Sequence, residues 1–447
     1  MKNQPTVIPL WKVLINLPKY YDNPTPIMIK SLNENNGIYQ SYVGFQRVFV
    51  TDRTEVIRHV LQKNHRNYRK SSIMEILAEE IGYGLLTSNG DYWLKQRRLI
   101  QPSFHRQKLV NLVDIMIEET NTYLDKLEER ITTQSKVEMS DEMMHLTLLV
   151  VMRSLFGQGI SEVELRRVDK IVSETQQYII AKIRRPLAKW IYKLTGKEKY
   201  YKSLPKELDD IIYNIIKERR TSDERHDDIF DMLLNAKYKD SGEGMTDQQL
   251  RDESLILFLA GHETSANALT WLWYLLTQHP EVETKLLAEI EEILGDRDIT
   301  FEDLPRLKYT KQVIQEAMRL YPPAWVIDRA ANEADDINGI QIPKDSMVIF
   351  PIYAVHRNEK YWENAATFNP DRFEKAPAQS EYIYFPFGGG PRLCIGNNFA
   401  YFEMQIIVAH FIRRFKINLV PNQQIDIHPL ITLRPKNGIY LKVEKRG

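Results

Sequence analysis

The stretch Phe387-Gly-Gly-Gly-Pro-Arg392-Leu-Cys394-Ile-Gly396 contains the single cysteine of a 447-residue chain. One cysteine cannot close an intramolecular disulfide, so it is a buried apolar thiol, an incidental surface thiol or a reactive one. Its neighbours favour the last. Three glycines and a proline make a loop that can approach another group closely. Past Gly396, the run from Asn397 to Phe411 reads as a long helix. Cys394 then lies at a helix N-terminus, where free N–H groups, the positive end of the dipole and nearby Arg392 favour a thiolate. Such a thiolate serves as a nucleophile or as a soft metal ligand. A phosphate cradle is excluded, because no Lys-Ser/Thr follows the glycines.

The order Phe, two residues, Gly, one residue, Arg, one residue, Cys, one residue, Gly resembles the haem-ligand loop of the cytochrome P450 superfamily at every fixed position. The resemblance implies that Cys394 is the proximal ligand of haem b (iron protoporphyrin IX). It further implies that Arg392 reaches a propionate, Phe387 shields the sulfur and Gly396 admits the porphyrin. A thiolate ligand favours O–O cleavage more than a proximal histidine does. The implied fold is mainly α with a smaller β-rich lobe, a triangular helical prism holding haem between a long central helix and the cysteine-loop helix. A single catalytic domain over residues 1–447 is expected, with about 38–70 and 325–355 contributing to the β lobe.

Composition agrees with a large core: 43% of residues are hydrophobic. Sixty basic residues balance sixty acidic ones, which gives no reason to expect nucleic acid as a partner. The apolar pieces Val7–Leu10 and Val13–Leu17 are broken by Lys12, Lys19 and prolines, so they suit neither a signal peptide nor a spanning helix. Within the resemblance this points to a cytoplasmic bacterial enzyme without a transmembrane anchor, expected to be a monomer.

Taken in order, Ile38 to Val50 alternates around Gly44 as a hairpin, and a helical run follows to Gln62. Ser71 to Ser88 is mixed and glycine-bearing, and is expected to be a loop over the substrate. Trp93 and Arg97 lie at i and i+4 on one helical face and resemble the family's propionate-binding Trp-x-x-x-Arg element. Lys108–Leu127 and Met139–Phe156 read as scaffold helices, and about Glu162–Ile180 and Lys206–Arg219 as two more. Between the last two, Lys182 to Lys202 carries eight basic residues among aromatic ones. This run is a solvated face, an attachment to an anionic surface or a substrate entrance.

Thr246 with Gln249 opens a helix that stays apolar to about Gln278 and is therefore buried. Glu263 near its centre argues for a protein core over a bilayer. Ala260-Gly-His-Glu263-Thr264 resembles the family's oxygen-binding groove. There Thr264 hydrogen-bonds bound dioxygen or a water, and Glu263 relays protons. Read without the family, the same residues make a local kink whose hydroxyls bond back to the preceding turn.

Glu316-Ala-Met-Arg319 is an ordinary i, i+3 pair by itself. With Phe368-Asn-Pro-Asp-Arg372-Phe373 it resembles the family's buried network of Glu316, Arg319 and Arg372. Arg329 aligns with a further propionate ligand. Ile337 to Asp345 reads as a hairpin, Val348 to Tyr353 as a strand and Ile439 to Val443 as a last strand. The resemblance places Phe258, Leu259, Ala260, Pro323 to Ile327 including Trp325 and Val326, and Leu430, Ile431 and Thr432 at the substrate pocket. Trp325 either stacks on a sugar or terpenoid ring or fills space.

The expected activity is monooxygenation: O2 and two electrons hydroxylate a C–H bond of a small organic substrate. A fatty acid or terpenoid is the default, and O-demethylation of a methylated sugar or similar ether is chemically open. No flavin or cluster signature is present, so NAD(P)H electrons must arrive through separate ferredoxin and ferredoxin reductase chains. Lys95, Arg98, Arg413 and Arg414 would suit an acidic donor, or form an ordinary solvated face. A non-catalytic haem-thiolate gas or ligand sensor is the competing function. The Glu263–Thr264 pair separates the two, since a sensor needs no proton relay.

Overall fold

The computed structural model describes residues 4–157 and 195–446 except Asp223 and Ala376, together with scattered positions between 163 and 192. Two expectations fall largely outside it: the basic aromatic run from Lys182, and part of the helical block from Glu162.

Helices dominate. The longest, Asp247–Gln278, begins in a capping box: Thr246 accepts from the Gln249 amide at 3.2 Å while the Gln249 side chain accepts from the Thr246 amide at 3.0 Å. This helix packs along Met139–Phe156, with Gly261 at the crossing. A Cβ at Gly261 would stand 3.3 Å from Val151, so the missing side chain lets the two backbones approach. Trp271 and Trp273 anchor its C-terminal half, both fully buried. The Trp271 ring stacks on Tyr321 at 4.1 Å, and its Nε1 donates to Leu433 O at 3.0 Å. The cysteine helix runs over Asn397–Arg414 and is buried along most of its length. Among the described residues, no helix is long and apolar enough to cross a membrane.

The smaller lobe is a six-stranded sheet in the order Thr6–Val7, Ile38–Val43, Gln46–Thr51, Met347–Phe350, Ile327–Ala331, Tyr68–Arg69. Its centre is set by two registers, Val48 opposite Met347 in parallel and Arg329 opposite Val348 antiparallel. Residues 38–70 and 325–355 thus meet in one sheet although about 250 positions separate the two segments. Two expectations change. Ser72–Ile81 is a helix capped by Ser71, and only 82–88 is a loop, pinned to the central helix where Asp252 accepts from Tyr83 N and Glu253 from Leu85 N. Also, the strand stops at Phe350, because Pro351 leads into the short helix Ile352–Val355.

Glu316 and Arg319, on the helix Lys308–Leu320, are both fully buried. Arg319 Nε and Nη2 donate to the two Glu316 oxygens at 2.7 and 2.9 Å, and Arg372 Nε donates to Glu316 Oε1 at 2.9 Å. The remaining Arg319 donors reach the carbonyls of His356, Ala365 and Thr367, so the pair also fixes the loop that brings Arg372 back. Breaking a buried pair strands a charge. Arg319→Ala should therefore lower stability by about 3–5 kcal/mol, with Arg319→Lys restoring little because the fork is lost; urea titration of the purified variants measures both.

Glu403, on the cysteine helix, is also fully buried, and burial pushes its carboxyl up to about 8, with Ser265 of the central helix opposing. A folded-state value above the unfolded one means stability that is present below about pH 4.5 and lost as the pH rises toward 8. Glu403→Gln should remove that loss, so that the variant gains on the wild type by up to about 4 kcal/mol between pH 5 and 8. Denaturation midpoints across that range provide the check.

Candidate active site

Distant segments converge on Cys394. Its amide donates to Phe387 O at 3.0 Å, which folds the loop back, and Gly396 caps the helix that follows. Gly390 has φ +65°, and a Cβ there would stand 1.9 Å from the Leu61 carbonyl oxygen, so only glycine lets the loop lie against the turn at 59–63. Cys394 has accessible surface yet is surrounded by protein, so that surface faces an internal space. Burial pushes the thiol up, while the Gly396 N–H and the Arg97 charge draw it down.

Cations gather around this loop: Arg97 acts on the thiol itself, and Arg392, two residues from it, lies near Arg329 and Lys70. Arg392 lies over the Trp93 ring, 4.1 Å from its centroid, and donates to Ser88 O at 3.0 Å and Asn89 Oδ1 at 3.3 Å. Arg329 is buried and donates to Asp328 O at 2.6 Å. Arg97 donates to Gln101 at 3.2 Å. Lys70 is pushed down to about 7 by burial and by the charges of Arg329 and Arg392, with Asp328 opposing. Burial and Arg329 push Arg392 down to about 9, and burial also lowers Arg329 and Arg97. Among the described residues, Asp328 is the one carboxylate acting on Lys70 and Arg329. Buried positive charge in excess of negative charge is costly unless an anion joins it.

A porphyrin fits this set: its two carboxylates would meet the cations and its metal the thiol. No group of three or more metal-ligating side chains occurs among the described residues, so Cys394 does not belong to an all-protein cage. A Cβ at Gly396 would meet nothing within 4 Å, which leaves the backbone beside the sulfur open to a flat group. Phe387 packs on Tyr401, with ring centroids 5.2 Å apart.

The central helix has a second special stretch. It stays helical through Gly261, yet Leu257, Ala260, Gly261 and Thr264 are accessible, with Leu259 beside them, in a helix that is mostly buried. Their i, i+3, i+4, i+7 spacing makes one open stripe. Thr264 Oγ1 donates back to Ala260 O at 2.7 Å, the local bond anticipated from sequence, but without ending the helix. Glu263 is turned aside and buried: Arg434 Nε donates to its Oε1 at 2.7 Å and Nη2 lies at 2.6 Å, and Thr432 Oγ1 also donates to Oε1.

The pocket residues divide. Leu259, Ala260, Val326 and Ile431 have accessible surface. Phe258 does not; it stacks on His262 and lines a separate apolar cavity with Met152, Phe156 and Leu208, because it projects from another side of the helix. Trp325 is buried in a cluster with Met28, Leu32 and Val48, and its Nε1 donates to Leu430 O at 2.9 Å, so it fills space. Of the basic surface residues, Lys95 pairs with Asp240 at 3.4 Å, Arg414 pairs with Asp125 and Arg413 binds the carbonyls of Gly295 and Arg297. Sequence reasoning passed over Lys70 and Arg434. Neither sits in a spaced motif, and each acquires its partners only through the tertiary fold, Lys70 from the neighbouring strand and the cysteine loop and Arg434 from the central helix.

The chain matches the family model described as Cytochrome P450 over residues 4–443. It is 32% identical over 398 residues to cyclooctat-9-en-7-ol 5-monooxygenase of Streptomyces melanosporofaciens, covering 88% of this chain and 85% of that protein. Cyclooctatin synthase of the same organism is 32% identical over 412 residues, with 91% and 88% covered. Cytochrome P450 4A6 of Oryctolagus cuniculus is 32% identical over 387 residues, with 83% and 76% covered. A family model spanning nearly the whole chain, matched by a helical body with a smaller sheet, shows that this protein belongs to the cytochrome P450 family, whose members carry haem on a cysteine thiolate and act as monooxygenases.

Proposed function

We propose that the Cys394 thiolate would hold the haem iron and that the enzyme hydroxylates a C–H bond of a terpenoid-class substrate. The observation that carries the ligand assignment is the one cysteine of the chain facing an internal space beside Lys70, Arg97, Arg329 and Arg392. When bound, haem supplies the redox centre at which O2 is reduced with two electrons and one oxygen atom is inserted into substrate. The protein does the rest. Arg329, Arg392, Arg97 and Trp93 would hold the carboxylates of the group, and the loop bond from Cys394 N to Phe387 O fixes the position of the cysteine.

At the other wall, Thr264 and Glu263 handle protons. The Thr264 hydroxyl stands on the open stripe and can donate outward once it leaves Ala260 O, and Glu263 can resupply it from the side of Arg434, whose side chain is partly exposed. A sensor would have no use for this acid–alcohol pair. The stripe Leu257, Ala260 and Gly261, with Val326 and Ile431, presents mostly carbon, which suits an apolar ring system. One relative is named a cyclooctat-9-en-7-ol 5-monooxygenase and another cyclooctatin synthase, and the ring alcohol in the first name favours an apolar ring substrate over a fatty acid or a methylated sugar. Electrons come from a separate one-electron carrier, for which we take a ferredoxin docking near Lys95 and Arg98.

The reduced, carbon-monoxide-bound protein should show the red-shifted absorption band of thiolate-ligated haem, and Cys394→Ser should lose it; an unaltered band in the variant rejects the ligand assignment. Thr264→Ala should keep that band and continue to consume NAD(P)H, while product formation falls by about a hundredfold, the scale of a lost proton donor. Product and cofactor measured in the same reaction distinguish this from a general loss of activity.

A further inference from the structure

The short hairpin Ile427–Pro429/Leu433–Pro435 near the C-terminus holds Glu263 from one side and the Pro323–Trp325 segment from the other. Thr432 and Arg434, two residues apart, both reach the Glu263 carboxylate. Asn267, one turn further along the central helix, completes the clamp: its Nδ2 donates to Glu263 O at 3.0 Å and to Thr432 Oγ1 at 3.1 Å. Across the hairpin, Leu433 N donates to Pro323 O at 2.9 Å and Trp325 Nε1 to Leu430 O at 2.9 Å. Leu430 N donates to Thr432 O at 3.0 Å, which tightens the tip. Ile431 at that tip is 40% exposed, whereas Thr432 beside it is 5% exposed. One short segment therefore offers an apolar side chain to open space while its next residue grips a buried acid.

Adjacent helix residues point about 100° apart, so a carboxylate clamped by Thr432 and Arg434 does not face the Thr264 hydroxyl. To pass a proton toward Thr264 it must give up those donors. Arg434, with its side chain 30% exposed against 3% for Glu263, is the solvent-facing end of the clamp. We infer that Thr432 and Arg434 are positioning residues that hold Glu263 away from Thr264 while the pocket is empty, and that substrate pressing on Ile431 loosens the hold. The inference rests on the monooxygenase reading above and adds a safeguard to it. With no substrate present, O2, two electrons from the redox partner and two protons otherwise leave as hydrogen peroxide.

The test needs oxygen and electrons only. Peroxide release is followed for the full-length holoprotein, without substrate, with a [2Fe–2S] ferredoxin and its NADPH reductase as donors. Arg434→Ala should release peroxide about tenfold faster than wild type, the scale of one lost charge-assisted hydrogen bond. Arg434→Lys, which keeps the charge but not the fork, should fall between wild type and Arg434→Ala, and a rate equal to that of Arg434→Ala counts against a charge-based hold. Thr432→Val should move in the same direction as Arg434→Ala, and carries the test where the arginine variant does not fold. In the Glu263→Gln background, Arg434→Ala should add nothing, a result that simple loosening of the fold would not produce. An unchanged or slower rate in Arg434→Ala or Thr432→Val, or a gain that persists without the Glu263 carboxylate, overturns the inference. The reduced carbon-monoxide spectrum of the same samples separates the two claims. A missing thiolate band rejects the haem-thiolate reading and the clamp with it; a normal band with unchanged peroxide release rejects the clamp alone.

Discussion

Excess positive charge around one sulfur is the constraint on which the architecture depends. Lys70, Arg97, Arg329 and Arg392 come from four separate segments, and each is held below its ordinary range chiefly by burial. Cations collected in this way repel one another and lose hydration, so the folded chain carries a cost that an anionic ligand would relieve. The sheet exists in part to impose it. Arg329 sits in register opposite Val348, and the strand Tyr68–Arg69 pairs with Ala330 and Ala331, which brings the neighbouring Lys70 to the same place. Arg392 is tied to the carbonyl of Ser88, the end of a loop that the central helix itself holds through Asp252 and Glu253. A displacement in any one of these elements would be felt at the others, because they share the same buried charges.

Features carried by local spacing were legible in the sequence. The capping box at Thr246 and Gln249, the helix over Met139–Phe156 and the hairpin read over Ile38 to Val50 depend on neighbours in the chain, and the structure has them there, the hairpin extending one residue to Thr51. The cysteine loop was legible for a different reason: glycines, arginine and thiol are all required within ten residues. Lys70 and Arg434 were not legible. Each is an unremarkable cation in a short polar context, and its partner lies more than one hundred and fifty positions away. Phe258 shows the converse error. Spacing alone assigns an apolar residue two positions before Ala260 to the same wall, but the helix turns it toward Met152 and Leu208. The helix Ser72–Ile81 was hidden by glycines at 82 and 84, which in fact lie beyond its end and pack against Asp252 and Glu253.

The central helix must satisfy two demands that oppose each other. Packing requires it to be apolar and closely fitted, and Gly261 against Val151, with Trp271 and Trp273 beyond, meets that requirement. The proposed proton delivery requires an acid and a hydroxyl at the same depth, where an unpartnered polar group costs about 1–3 kcal/mol. The two are reconciled by borrowing donors from elsewhere in the chain. Thr264 returns its hydroxyl to Ala260, and Glu263 takes Thr432 and Arg434 from the C-terminal hairpin. An acid held by donors on its own helix would be satisfied permanently and could not respond to the pocket. Donors on a hairpin that also contacts Pro323 and Trp325 can be withdrawn when that hairpin moves. The same bonds that make the buried carboxylate tolerable thus tie its position to that hairpin, which is the property the proposed substrate-gated relay requires.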